Sequence, residues 1–285
     1  MTSKIALGTC AWSCEDWRGG FYPDTVVPTQ WLGWYARFFN AVEADSTFFH
    51  APTRHALEHW LEATPAKFTF TVKLPRALTH ERRLRDCDGP LESFLEALAP
   101  LRPRLGCILI QLPATFRAAH EEDILRRFVA RLPRDWPFAI EFRDPAWHAP
   151  RTVHWLREHN VCWVWADSEP LSHEAEGAFE VLPQTADFLY VRLLGDARTR
   201  YHADGSPRHV YEKLLWPRGR SLENWAVKIR HHMEESRRVL VFANNHFEGC
   251  APLTCQRLAR TLGMELALPH LDAPDAPKGS QMDLL

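Results

Sequence analysis

The chain of 285 residues is 46% hydrophobic and holds 12 Trp and 16 Phe, enough to bury one large core in a single domain of barrel size. Its 34 Lys and Arg against 36 Asp and Glu leave a net charge of -2, which excludes a global field for nucleic acid or an anionic membrane but allows a local basic patch. No apolar run reaches the roughly 20 residues of a membrane span, Met1-Thr2-Ser3-Lys4 leads into a strand without a signal-peptide stretch, and 7 scattered cysteines suit a reducing cytoplasm.

Eight short apolar runs punctuate the chain, most of them closing on a polar or charged residue. They are Ile5 to Gly8, Ala41 to Asp45, Phe68 to Lys73, Cys107 to Gln111, Phe138 to Arg143, Val161 to Asp167, Phe188 to Arg192 and Val239 to Asn245. The second is expected to continue as strand to Phe49. Helical spacing fills the gaps. Pro28 opens a helix through Trp31, Leu32, Tyr35, Phe38 and Phe39, and another begins at Thr53 with Leu57, Trp60 and Leu61. Further helices are expected from Pro90, over 121–131, over 150–159, over 222–235 and over 251–262. Strand alternating with helix eight times predicts an α/β fold, a single (β/α)8 barrel over residues 1–267. Residues 79–86, 168–187 and 196–220 read as long loops of the kind that bind ligands or act as lids. From 268 to 285 the composition is that of a flexible, disordered tail.

In such a barrel the strands' C-terminal ends line the mouth where chemistry takes place. Side chains alternate across a strand, so Glu43 and Asp45 share a face, as do Glu141 and Arg143. With Lys73, Gln111, Asp167, Arg192 and Asn244 they are expected to form an interior network of mixed charge. That network is either a structural plug of ion pairs or a site. The number of contributing strands favours a site, because stable barrels usually fill their interior with branched apolar side chains. Trp12, Trp17 and Trp147 fall on mouth loops where they could stack a base or sugar.

These residues fall in motifs that resemble the DUF72 (YecE-like) family. The motifs are Gly8-Thr9-Cys10-Ala11-Trp12-Ser13, Trp17-Arg18-Gly19, Phe21-Tyr22-Pro23, Val42-Glu43, Ser46-Thr47-Phe48, Lys73-Leu74-Pro75 and Thr79-His80. Gln111-Leu112-Pro113, Glu141-Phe142-Arg143, Ala166-Asp167-Ser168, Tyr190-Val191-Arg192 and Phe242-Ala243-Asn244-Asn245 complete the string, over residues 5 to 262. The resemblance implies a TIM-like barrel and carries no established activity. Cys10-Ala11 stands where the family usually has Ser-Gly, and Asp45 where Asn is frequent.

The family is distantly similar in fold to the endonuclease IV and xylose isomerase barrels, which hold metals at this mouth. Here Glu43, Asp45, Glu141, Asp167, His80 and His246 are available, but no His pair has helical ligand spacing, and Lys73, Arg143 and Arg192 would repel a divalent ion. No cofactor is therefore implied, and a divalent metal is the lesser alternative. The cations suit an anionic ligand, gripped by Lys73, Gln111, Arg143, Arg192, Asn244 and Asn245, with Trp12 and Trp147 beside it. Glu43 or Glu141, with Asp45 and Asp167 nearby, would serve as base and His80 as acid. Cys10, Cys14, Cys250 and Cys255 flank neighbouring strands, but their spacings lack a zinc-knuckle form and such thiols are commonly small buried hydrophobes.

The tail closes in Gln281-Met282-Asp283-Leu284-Leu285, which resembles the pentapeptide by which bacterial replication and repair proteins bind the sliding clamp. Gln281 would enter a polar pocket and Leu284 and Leu285 an apolar one. Two readings follow. One is an enzyme, such as a phosphoesterase or endonuclease IV-like hydrolase, acting on a phosphate-bearing small molecule or nucleic acid in DNA repair. The other is a non-catalytic nucleic-acid or clamp-associated binding protein.

Overall fold

The apolar runs become strands of one parallel sheet in the computed structural model, which describes residues 4–167, 183–195, 210–233 and 236–269. The expected loop segments 168–182 and 196–209, and the tail with Gln281, Met282, Leu284 and Leu285, lie outside the described residues. The strands are β1 (Ile5–Thr9), β2 (Ala41–Ala44), β3 (Thr69–Lys73), β4 (Leu105–Gln111), β5 (Phe138–Glu141), β6 (Cys162–Asp167), β7 (Phe188–Leu193) and β8 (Arg238–Ala243). Around them lie α1 (Trp31–Tyr35), α2 (Arg54–Ala63), α3 (Asp88–Leu98), α4 (Ala118–Ala130), α5 (Pro150–Glu158), α6 (Gly219–Met233), α7 (Asn245–Glu248) and α8 (Ala251–Thr261). Neighbouring strands follow chain order, and β8 returns to β1 with Ile5 opposite Val239 and Thr9 opposite Ala243. This is the expected (β/α)8 barrel.

Both faces of each strand are buried, which is why the runs read as nearly continuous apolar stretches. Ile5, Leu7, Val42, Ile108, Ile110, Val191 and Val241 pack outward against the helices. Ala6, Cys10, Ala41, Cys107, Leu109, Ala139, Cys162, Val164, Phe188, Tyr190, Leu240 and Phe242 form a second cluster inside the barrel. Small side chains on β1, β2, β5 and the start of β6 thus face bulky ones on β7 and β8. At the N-terminal end Arg238 lies over the Phe188 ring and donates to the Gly106 carbonyl, closing the floor.

The ladder is interrupted between β1 and β2, where side chains replace backbone. Asn40 accepts from Leu7 N at 2.8 Å and donates to Ile5 O at 2.9 Å, as a peptide group of a neighbouring strand would. The Tyr35 hydroxyl accepts from Thr9 N at 2.8 Å and reaches Ala41 O at 3.0 Å. Gly8 permits this approach, since a Cβ there would lie 2.0 Å from Ala41 O. Closure therefore rests on Tyr35 of α1, on Asn40 and on a residue without a side chain.

The strand expected to run from Ala41 to Phe49 ends at Ala44, and Asp45–Phe48 forms a 3-10 turn. The cause is Thr47: its Oγ1 accepts from Lys73 N at 2.7 Å and lies 2.9 Å from Ala44 O, taking the place that β2 would hold beside β3. After β3, Ala77–Glu81 makes a π-helical turn, and Arg83, Leu84 and Asp86 follow with φ of 50, 62 and 49°. Non-glycine residues pay strain in that left-handed region. Here Arg83 anchors the loop with a bidentate grip on the buried Glu121, at 2.7 and 2.6 Å, while Leu84 is buried beneath. Within the expected loop 79–86, Arg83 is thus a clamp onto α4.

Candidate functional site

Strand alternation delivers four charged or polar side chains into the upper barrel: Glu43 from β2, Gln111 from β4, Glu141 from β5 and Arg192 from β7. Glu43, Glu141 and Arg192 are 0, 1 and 2% exposed. Arg192 forks onto Glu43, with Nε to Oε2 at 2.9 Å and Nη2 to Oε1 at 2.6 Å, while its Nη1 donates to Glu141 Oε2. The Tyr190 hydroxyl, one layer below on the same face, also donates to Glu43 Oε2. Glu141 Oε1 accepts from Gln111 Nε2 at 2.8 Å and from Arg143 Nε at 3.0 Å. One guanidinium is thus shared by two carboxylates, each of which receives three donors.

The two carboxyls respond differently to this arrangement. Burial raises Glu43 above the usual carboxylate range, opposed by Arg192. The fork and the tyrosine hydroxyl nevertheless stabilise its charged form. Burial also works against the charge of Glu141, but Arg192 and Arg143 outweigh it and hold the group down at about 2. Arg192 is itself held firmly charged: burial opposes the charge, and the two glutamates overcome it.

Above this lattice lies a more open rim. Lys73 Nζ pairs with Asp45 Oδ1 at 3.1 Å and sits 4.5 Å from the centre of the Phe48 ring. His80, on the π-helical turn, meets the same ring edge-on at 5.0 Å, and its Nδ1 is 2.8 Å from Thr79 Oγ1. Burial and then the charges of Arg143, Lys73, Arg76 and Arg83 lower His80 to about 4, so the ring is neutral at pH 7. Asp45 and Arg143 keep 40 and 37% of their side-chain surface exposed. Trp12 is half-buried and packs edge-on against Trp60 at 5.2 Å.

Other expected members stand apart from this network. Asp167 closes β6 but faces outward, because Val164 and Ala166 share the inner face. It accepts from Trp225 Nε1 at 2.6 Å, Ser221 Oγ at 3.2 Å and Arg218 Nη1 at 3.4 Å, tying β6 to α6 and the residue preceding it. Asn244 caps α7 through His246 N, and Asn245 Oδ1 accepts from Trp17 Nε1 and Ala251 N. Trp147 is 2% exposed, stacked on Phe142 and bonded to Phe116 O, and Trp17 is 3% exposed; neither can stack a ligand. These are interlocks between loops and helices; alternation with Val164 and Ala166 separates Asp167 from the mouth, but it does not reach Asn244, Asn245 and Trp147, which lie beyond the strand ends.

Three participants were missed. Tyr190 could have been found, since it shares the inward face of Arg192 two residues on. Phe48 and Thr47 could not, because their roles depend on β2 ending early. Among the described residues no group of three or more His, Cys, Asp or Glu could hold a metal ion. Cys10 points into the barrel, whereas Cys255 donates to Gly8 O at 3.1 Å and Cys14 accepts from Asn245.

Comparison with known proteins places this chain in a wider group. Along 142 residues the chain is 37% identical to the UPF0759 protein YecE of Escherichia coli (strain K12), covering 48% of this chain and 52% of that one. The match thus spans about half the length of that relative. The UPF0759 protein YunF of Bacillus subtilis (strain 168) is 24% identical over 277 residues, 92% of this chain and 95% of its own. A crystal structure of a DUF72 family protein from Thermotoga maritima superposes with a TM-score of 0.72 at 26% identity, covering 91% of this chain and 99% of that one. One from Enterococcus faecalis shares the fold, with a TM-score of 0.68 at 21% identity over 94% of this chain and 100% of that one. The family described as "Protein of unknown function DUF72" matches residues 6–281, and with the same barrel in its solved members, this chain belongs to the DUF72 family.

Proposed function

We propose that the protein is an enzyme acting on a phosphate-bearing anion at the C-terminal mouth, received by Lys73, Arg143 and His80. The carrying observation is the division of charge by depth. In the buried lattice Arg192 is consumed by Glu43 and Glu141, while nearer the surface Arg143 keeps 37% of its side chain exposed and Lys73, only 7% exposed, is held by the more open Asp45 beside the Phe48 ring that His80 also meets. Asp45 holds Lys73 much as a ligand oxygen would, and a bound phosphate would take over that partner. The deep lattice then acts as scaffold: Glu141 fixes the Arg143 fork, and His80 donates the proton to the leaving oxygen. A nucleic acid is the macromolecular form of such a ligand. The clamp-like end at Gln281 to Leu285 would bring the barrel to DNA during repair or replication.

A second reading, a non-catalytic binding protein, is favoured by one observation. Each carboxylate of the lattice accepts three hydrogen bonds, which leaves neither well suited to act as base. The experiment is a panel of phosphomonoesters, phosphodiesters and duplex DNA with an abasic site, scored for both binding and turnover. Lys73→Met and Arg143→Gln should each weaken phosphate binding at least about tenfold, roughly 1.4 kcal/mol. Binding without turnover selects the second reading. Absence of phosphate binding at concentrations well above about 1 mM, where ΔG is only about -4 kcal/mol, ends both.

A further inference from the structure

A proton donor must carry its proton before the reaction, and His80 in the free protein does not. Its ring is fixed on three sides. Nδ1 lies against the Thr79 hydroxyl, the edge abuts Phe48, and the π-helical turn is held in place by the strained, clamped segment that follows it. Nε2 has no partner among the described residues and is not among their buried unpaired atoms, so it is accessible.

The charged surroundings are lopsided. From β3 comes Lys73, from the segment after β5 comes Arg143, and from the loop of His80 itself come Arg76 and Arg83, all opposing a positive ring. The acids are largely committed: Asp45 to Lys73, Glu81 to Arg76 at 3.2 Å, Glu121 to Arg83 and Glu141 to Arg143 and Arg192. An anion placed among Lys73, Arg143 and Nε2 reverses this balance. It supplies negative charge within hydrogen-bond reach of the ring and an acceptor for the new N–H.

We infer that the ligand charges its own acid: an oxyanion seated between Lys73 and Arg143 draws a proton from solvent onto Nε2 of His80, so that binding and protonation are one event. This rests on the anion-binding reading of the mouth and adds to it a preference for ligands whose oxygen can accept from an imidazolium. No bond of the ligand is broken in the step. The proton comes from bulk water or buffer, and the base left behind is that of the buffer.

Sulfate is the probe, because it is a tetrahedral dianion that does not titrate near neutrality. Calorimetry at pH 5.5 in two buffers of different ionisation enthalpy should show uptake of about one proton per sulfate bound. Affinity should fall close to tenfold per pH unit as pH rises above the charged ring's titration. In His80→Gln the proton uptake should vanish while weaker, pH-independent binding persists. Imidazole NMR of the full chain should show His80 taking its proton at higher pH with sulfate than without. Sulfate binding with no uptake, or uptake unchanged in His80→Gln, overturns the inference and leaves the anion site standing. No sulfate binding in the wild type overturns both.

Discussion

Replacing Glu141 by glutamine removes one charge and almost no volume, yet the structure makes it a costly change. Glu141 is 1% exposed, and its two oxygens accept from Gln111, Arg143 and Arg192. The amide nitrogen of glutamine must turn either toward Gln111 and Arg143 or toward Arg192, so a donor always faces a donor. The size follows from linkage. Ordinary carboxyl burial would raise the group, but the two arginines hold it at about 2. Against a Glu value of about 4.3 in the unfolded chain, that gap of about two units is worth roughly 3 kcal/mol at pH 7. The folded value lies below the unfolded one, so this stability is present above about pH 4.3 and is lost as pH falls through about 2. Urea denaturation at pH 7 should place Glu141→Gln about 3 kcal/mol below wild type, with a melting temperature lower by about 6–10 °C. At pH 3 the gap should shrink by more than half. A variant within 1 kcal/mol of wild type at pH 7, or a gap that does not change with pH, would refute the buried lattice as described.

Gly8→Ala should yield no folded barrel by circular dichroism, because its Cβ would fall 2.0 Å from Ala41 O, whereas Asn40→Ala should fold with a loss of about 1–3 kcal/mol and faster amide exchange at Leu7. Asp167→Asn should cost stability, by about 1–3 kcal/mol in denaturant titration, without changing sulfate affinity, since Asp167 ties β6 to Trp225 of α6 and does not face the mouth. Neither ring nitrogen of His148 has a hydrogen-bond partner among the described residues, and burial holds the group down to about 4. The unfolded chain therefore binds that proton first, stability declines as pH falls from about 6.5 toward 4, and His148→Phe should flatten that part of the pH–stability curve. Truncation after Ser280 should leave the melting temperature unchanged. A peptide of the last ten residues should bind purified bacterial sliding clamp no more tightly than about 1 μM, and a Gln281→Ala, Leu284→Ala peptide should not bind.

Strand count, order and the inward direction of Glu43, Lys73, Gln111, Glu141 and Arg192 were legible in the sequence. Parallel strands buried on both faces must be apolar almost throughout, so charged residues inside them stand out, and a period of two assigns their side. The alternation failed wherever a strand end depended on a contact from elsewhere. Asp45 sits in a 3-10 turn and not in a strand because the Thr47 hydroxyl, 26 residues from Lys73 in the chain, replaced a ladder partner. Asp167, Asn244, Asn245 and Trp147 closed the right runs or loops but were claimed by helices and neighbouring loops. For Asp167 the alternation with Val164 and Ala166 already assigned the outer face, whereas residues beyond a strand's end follow no such period. Composition placed Lys, Arg and Glu at one mouth, but only tertiary structure decided which charges cancel. Arg192 reaches two carboxylates from β2 and β5 at once because the barrel curves them to opposite sides of one guanidinium, a meeting that no local stretch of sequence specifies.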